Sequence, residues 1–181
     1  MAIVKKTLNI LYQMIVGGIF TIAIYTLGTF NPNPTVIRDI TPEPSFSYNN
    51  ETQFVHALSE CIDFQNLSVP KNQRIPKNMI LAQSILETGW GESRIAVQAN
   101  NLFGIKSFKK TVKHIHAEKD NSIMYRVFTN KCDSVKYYIE LLNNHPAYKN
   151  FRKARAVYIK NGKEPNPYQL IKTLDNYSET D

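Results

Sequence analysis

Eight consecutive residues concentrate the groups best able to do chemistry in this chain: ETGWGESR, Glu87 to Arg94. They hold an acid, two glycines, the one tryptophan of the sequence and a second acid. A carboxyl set against an aromatic wall loses hydration and its pKa rises. It can then donate a proton near neutral pH, as a general acid must. Glu87 is the candidate on these grounds. The competing reading makes Glu87 an exposed helix residue, Trp90 a core plug and Gly89 a helix C-cap. Glu92 is a second candidate acid, but its place after the glycine turn suits it to capping the next short helix or pairing with Arg94.

The elements that must position these groups follow from spacing. From Glu51 to Asp63 the apolar positions Phe54, Val55, Leu58, Cys61 and Ile62 recur at helical intervals, with Asn50 or Glu51 placed to begin the helix. KNMILAQSILETG reads as a second helix, with Pro76 at its first position and Gly89 stopping it just after Glu87. GESRIAVQA suggests a further short helix, and Asn100, Asn101 and Gly104 mark a turn. FGIKSF, TVKHIHAE and IMYRVF are short, partly alternating and rich in β-branched or aromatic residues, with KDNS as a turn, so a small antiparallel sheet is predicted. Helical spacing returns over 134–142, about 147–159 and 168–174. The expected fold class is α+β, mostly α-helical, with one β-lobe inserted after the Glu87 helix.

The amino terminus separates from this domain. Ile10 to Phe30 carries no charge, follows Lys5 and Lys6, and is about as long as the roughly 20 residues a helix needs to cross a membrane. It predicts a transmembrane signal anchor over 1–30, with a cleaved secretory signal as the alternative. Pro32, Pro34, Pro42 and Pro44 then make 31–45 an extended linker, leaving 46–181 as the folded domain. The expected location is outside the cytoplasm, attached to the membrane, or secreted if the segment is cleaved.

The 181 residues are 43% hydrophobic and 20% charged, which excludes a disordered or collagen-like chain and fits one core of ordinary size. Residues 46–181 hold 19 basic and 13 acidic side chains, so the domain favours anionic partners. Export disfavours nucleic acid among these. Lys149, Arg152, Lys153, Arg155, Lys160 and Lys163 form a run that reads first as a solvated helix face. The only cysteines, Cys61 and Cys132, exclude a four-cysteine zinc site; a bridge between them and two buried thiols both remain open. His114 and His116 share one face of a strand, but no third ligand suggests itself, and no metal or cofactor is expected.

ILAQSILETGWGESRIAVQANNLFGIK is similar to the signature of the bacterial peptidoglycan glucosaminidase family, which includes the flagellar muramidase-type domain and the Bax-like proteins. YRVFTNKCDSVKYYIELLNNHPAYKNFRKAR and the late LDNYSE extend the likeness, and together they resemble the Bax-like branch most closely. The resemblance implies a lysozyme-like helical fold with a β-lobe. It also implies hydrolysis of the β-1,4 bond between N-acetylglucosamine and N-acetylmuramic acid in peptidoglycan, without a cofactor. The family's catalytic glutamate falls on Glu87, with Trp90 as a wall near the acid. A second carboxylate is expected on the β-lobe, where Glu118 is the candidate and Asp120 its competitor. Without one, the substrate's own 2-acetamido group would assist. Tyr177 matches a late tyrosine facing the cleft, and Asn101 and Phe103 are candidates to reach the sugar. A lytic transglycosylase and a peptidoglycan-binding protein without turnover are the alternatives.

Overall fold

The computed structural model describes Arg38 and residues 41–174. The anchor expected over 1–30, linker residues 31–37, 39 and 40, and Tyr177 lie outside the described residues. Among the described residues, no helix is long and apolar enough to cross a membrane.

Helix α1 (Glu51–Asn66) begins where Asn50 Oδ1 accepts a hydrogen bond from Gln53 N, one of the amides a helix start leaves unpaired. Its buried positions Phe54, Leu58, Cys61, Ile62 and Gln65 form one stripe. Phe46 and Tyr48 close over that stripe, with ring centroids 5.8 and 5.1 Å from Phe54. Helix α2 (Lys77–Thr88) has Pro76 one residue outside, as its N-cap, because the proline is still extended at ψ 127°. The short α3 (Arg94–Gln98) is capped by Ser93, whose hydroxyl accepts from Ala96 N, so Glu92 does not take the capping role.

Strands β1 (His114–His116) and β2 (Met124–Arg126) pair antiparallel, with Ile115 opposite Tyr125. A third extended stretch joins the other side of β2 through a Lys106–Tyr125 bridge, with Ser107 N donating to Met124 O and Arg126 N to Ile105 O. The remaining helices are α4 (Lys131–Asn144), α5 (Lys149–Lys160) and α6 (Pro167–Ile171). The expected architecture, mostly helical with one small antiparallel sheet, is the one observed.

The core lies among the helices. Phe54, Leu58 and Ile62 from α1 meet Met79 and Ile80 from α2, Val135, Tyr138 and Leu142 from α4, Phe151 from α5 and Leu170 from α6. Burying each such large apolar side chain is worth roughly 1.5–3 kcal/mol. A Cys61–Cys132 disulfide ties α1 to α4, resolving the open question of the two thiols. The basic run on α5 is not all solvated. Arg155 is buried and donates to Gln73 O at 2.7 Å, and Arg152 donates to Leu142 O and His145 O at the end of α4. Cations there complement the negative end of the helix dipole.

Candidate active site

Helix α2 buries Met79, Ile80, Ser84 and Thr88, and Glu87 emerges at the edge of that stripe in the last turn. The turn that follows holds three successive positive φ angles, at Gly89 (53°), Trp90 (62°) and Gly91 (82°). Gly89 N donates to Ile85 O at 2.8 Å, and Ser93 N donates to Thr88 O at 2.9 Å. Thr88 Oγ1 donates to Ser84 O and accepts from Gly91 N, while the Tyr48 hydroxyl donates to Gly91 O at 2.7 Å. Only glycine fits at 91, because a Cβ there would lie 2.6 Å from Phe54 Cε2 and from the Tyr48 hydroxyl. The helix end carrying Glu87 is therefore fixed from both sides.

A second turn, NNLFG, presses against the same carboxyl. Asn101 is fully buried and anchors it with four bonds. Its Oδ1 accepts from Phe103 N and Ile105 N, and its Nδ2 donates to Ile105 O and Arg126 O. Gly104 follows at φ 61°, and a Cβ at that position would stand 2.8 Å from Glu87 Oε2. Phe103 stacks on Tyr138 with centroids 4.2 Å apart and planes 11° apart. This apolar surrounding half-buries Glu87 and pushes its carboxyl above the usual glutamate range, by desolvation. Burial likewise raises the Tyr138 phenol, and the charges of Tyr148 and Glu87 raise it further.

Glu87 opens into a cleft of about 600 Å³. One wall is the Phe103–Ser107 segment, a second is Tyr125 and Arg126 of β2, and a third is Tyr137 and Leu141 of α4. His145, Tyr148 and Phe108 complete the rim, and Phe108 is 65% exposed at its mouth. Aromatic faces with a few polar groups are what a sugar-binding cleft offers. Glu87 is the one carboxyl lining it among the described residues.

The structure brings Glu87 and Phe103 into this cleft. Trp90 lies in the turn behind, packed on the core, and Asn101 acts as the bracket of the NNLFG turn. Neither lines the cleft. Glu118 is 71% exposed and pairs with Arg94, Nε to Oε1 3.0 Å, so it too is outside the lining. Arg94 also donates to His116 O and so pairs with the lobe, not with Glu92. Asp120 accepts from Ser122 N in the hairpin turn, and hydrogen bonding from the Ser122 side chain, then from its backbone, lowers the Asp120 carboxyl below the usual range. The ring nitrogens of His114 and His116 lie 2.7 Å from Val112 O and Asn121 O, local contacts of the lobe.

Sequence reasoning did not single out Tyr125, Arg126 or Tyr137. The signal was the Tyr137–Tyr138 pair with Leu141 and Leu142 four residues on. One member of each pair faces the core and the other the cleft.

A family model described as glucosaminidase, mannosyl-glycoprotein endo-beta-N-acetylglucosaminidase, matches residues 67–178. The chain belongs to this glucosaminidase family. Protein bax of Escherichia coli (strain K12) is 36% identical over 104 residues, covering 58% of this chain and 37% of bax. Exo-glucosaminidase LytG of Bacillus subtilis (strain 168) is 32% identical over 99 residues, covering 55% of this chain and 32% of LytG. Peptidoglycan hydrolase FlgJ of Salmonella typhimurium is 32% identical over 88 residues, covering 41% of this chain and 28% of FlgJ. The glucosaminidase chain thus spans about a third of the length of these relatives. The matched stretch contains Glu87, both turns and the whole cleft lining.

Proposed function

We propose that this glucosaminidase is a peptidoglycan hydrolase of lysozyme-like build, an endo-β-N-acetylglucosaminidase. Glu87 is the general acid that cuts the β-1,4 bond between N-acetylglucosamine and N-acetylmuramic acid. The observation that carries the reading is the half-buried Glu87 carboxyl, raised by desolvation, at the base of an aromatic cleft. A raised pKa keeps the proton in place for the leaving glycosidic oxygen as the oxocarbenium-like transition state forms. The peptidoglycan substrate is supported by the name of FlgJ, a peptidoglycan hydrolase. Anchoring by 1–30, with the domain outside the cytoplasm, would place the enzyme beside that substrate.

Glu87 is the one acid in the lining among the described residues, and this favours assistance from the substrate's 2-acetamido group over a two-carboxylate route. A route through Glu118 requires the lobe to release Arg94 and close. The same single acid serves the alternative of a lytic transglycosylase, so product chemistry must separate the two.

The test is mass spectrometry of soluble fragments released from purified peptidoglycan, with borohydride to mark new reducing ends. Fragments ending in reducible N-acetylglucosamine are expected, with the rate lowered roughly 10²–10⁴-fold in Glu87→Gln. A 1,6-anhydro end would make the enzyme a transglycosylase. A Gln variant as active as the parent would remove Glu87 from the mechanism, and binding without fragments would leave a wall-binding protein.

A further inference from the structure

We propose that Arg126 takes a carboxylate of the acidic glycan in the Glu87 cleft and so selects peptidoglycan over neutral N-acetylglucosamine polymers. The inference rests on the reading of the cleft as a peptidoglycan site. Among the described residues, the other five arginines give their side-chain donors to protein. Arg38 bonds Ser68 and Gln65; Arg74 bonds Val69 O and Asn66 O; Arg94 bonds Glu118 and His116 O; Arg152 and Arg155 bond backbone carbonyls. The Arg126 guanidinium gives none within the described residues and sits in no ion pair there.

Arg126 is nevertheless held in place. Its guanidinium carbon lies 4.3 Å from the Tyr137 ring centroid and 5.5 Å from that of Phe128. Its backbone N donates to Ile105 O at 2.9 Å, and its O accepts from Asn101 at 3.0 Å. A half-buried guanidinium stacked on aromatic faces keeps its edge donors available, and those donors match a carboxylate in a two-pronged arrangement. Lys106 and Lys109 line the same cleft. N-acetylglucosamine carries no charge. Muramic acid carries a lactyl carboxyl, which is free in peptide-stripped strands and is extended in intact wall by peptides bearing their own carboxylates. Both sources offer the group that Arg126 fits.

The test measures binding of the full chain carrying Glu87→Gln to four glycans. These are peptide-stripped strands, peptide-bearing strands, the same strands with carboxylates converted to amides, and neutral N-acetylglucosamine oligomers. Carboxylate strands are expected to bind roughly tenfold or more tighter than amidated ones. Adding Arg126→Gln erases that difference, and Arg126→Lys restores part of it by supplying charge without the fork. Discrimination on stripped strands assigns the lactyl carboxylate; discrimination only on peptide-bearing strands assigns the peptide. The comparison of carboxylate with amide needs no Arg126 variant and so holds even if Arg126→Gln misfolds. Binding indifferent to amidation, while the parent still releases fragments, overturns this inference alone. Binding to no strand overturns the site reading and this inference with it.

Discussion

From Phe108 to Val127 no side chain is buried, whereas α2, one turn of which carries Glu87, buries Met79, Ile80, Ser84 and Thr88. The lobe is held instead by strand pairing and a few polar ties at its edges. These are Arg94 to Glu118 and His116 O, Asn101 to Arg126 O, and Asn100 to Phe128 O and Thr129 O. Segments with few buried apolar contacts open locally at low free-energy cost, while packed helices open only with the whole domain. Glu87 and the wall formed by the lobe therefore have separate supports. The body fixes the Glu87 carboxyl; the lobe contributes Tyr125 and Arg126 to the cleft lining.

The largest effect on stability is expected in the body. The Cys61–Cys132 bridge links residues 71 apart in sequence and joins α1 to α4 at the core. In the chain-entropy account, closing a loop of that size contributes about 4 kcal/mol. Replacing both cysteines by serine should lower the urea midpoint accordingly, read by circular dichroism, while the fraction still folded keeps its rate of fragment release. A loss below about 1 kcal/mol would mean that packing alone holds the body, and the contrast with the lobe would narrow.

The next effect tests the seam where the two regions meet at Glu87. Gly104→Ala and Gly89→Ala both force a side chain into left-handed backbone, a cost of roughly 1–2 kcal/mol each. They differ in what the new methyl meets. At 104 it lies 2.8 Å from Glu87 Oε2; at 89 nothing stands within 4 Å. A displaced reacting group can lose about a hundredfold in rate, so Gly104→Ala should lower kcat by about that factor and Gly89→Ala far less. The pH profile sharpens the point. With Glu87 as the proposed general acid, kcat is expected to fall as pH rises through its pKa, which burial holds above the ordinary value. A carboxyl pushed toward water regains a lower pKa, and the alkaline limb should move to lower pH in Gly104→Ala. In the parent the raised native pKa also makes stability fall as pH rises from the unfolded value through the native one. Equal losses at 89 and 104 would show that backbone strain, not contact with the acid, is what matters.

What was legible in the sequence was what neighbouring residues decide. Asn50 caps α1, Gly89 ends α2 in left-handed backbone, and KDNS turns the hairpin, each through bonds that span a few residues. Glu87 was legible as a candidate because its setting, a helix end before a glycine turn, is also local. The rest depends on which distant surfaces meet. Cys61 and Cys132 were compatible with bridging, but only the packing of α1 on α4 brings them together. Asn101 read both as a turn residue and as a candidate to reach the sugar, and its amide is taken up by the turn that sets Gly104 against Glu87. Tyr137 and Tyr138 are chemically alike, and it is the packing of the helix face that places Tyr138 in the core, stacked on Phe103, and Tyr137 in the cleft lining.

The smallest effect is expected at Glu118, where two roles predict different magnitudes. As a tether, its carboxylate meets Arg94 at 3.0 Å on a surface where Glu118 is 71% exposed. Exposed ion pairs of this kind contribute about 0–1 kcal/mol, so Glu118→Gln should change stability by about 0.5 kcal/mol and fragment release by less than about threefold. Arg94→Ala should cost more, because it also removes the bond to His116 O and loosens the lobe. As a second catalytic carboxylate, Glu118 would instead cost roughly 10²-fold or more in kcat at unchanged stability. Raising salt separates the two further, since screening weakens a surface tether in the parent but leaves a carboxylate acting inside a closed cleft largely unaffected. A small loss, reproduced by salt in the parent, leaves Glu87 as the working acid and the lobe as a wall whose width Arg94 and Glu118 set. A large one means that the lobe closes and carries its acid across.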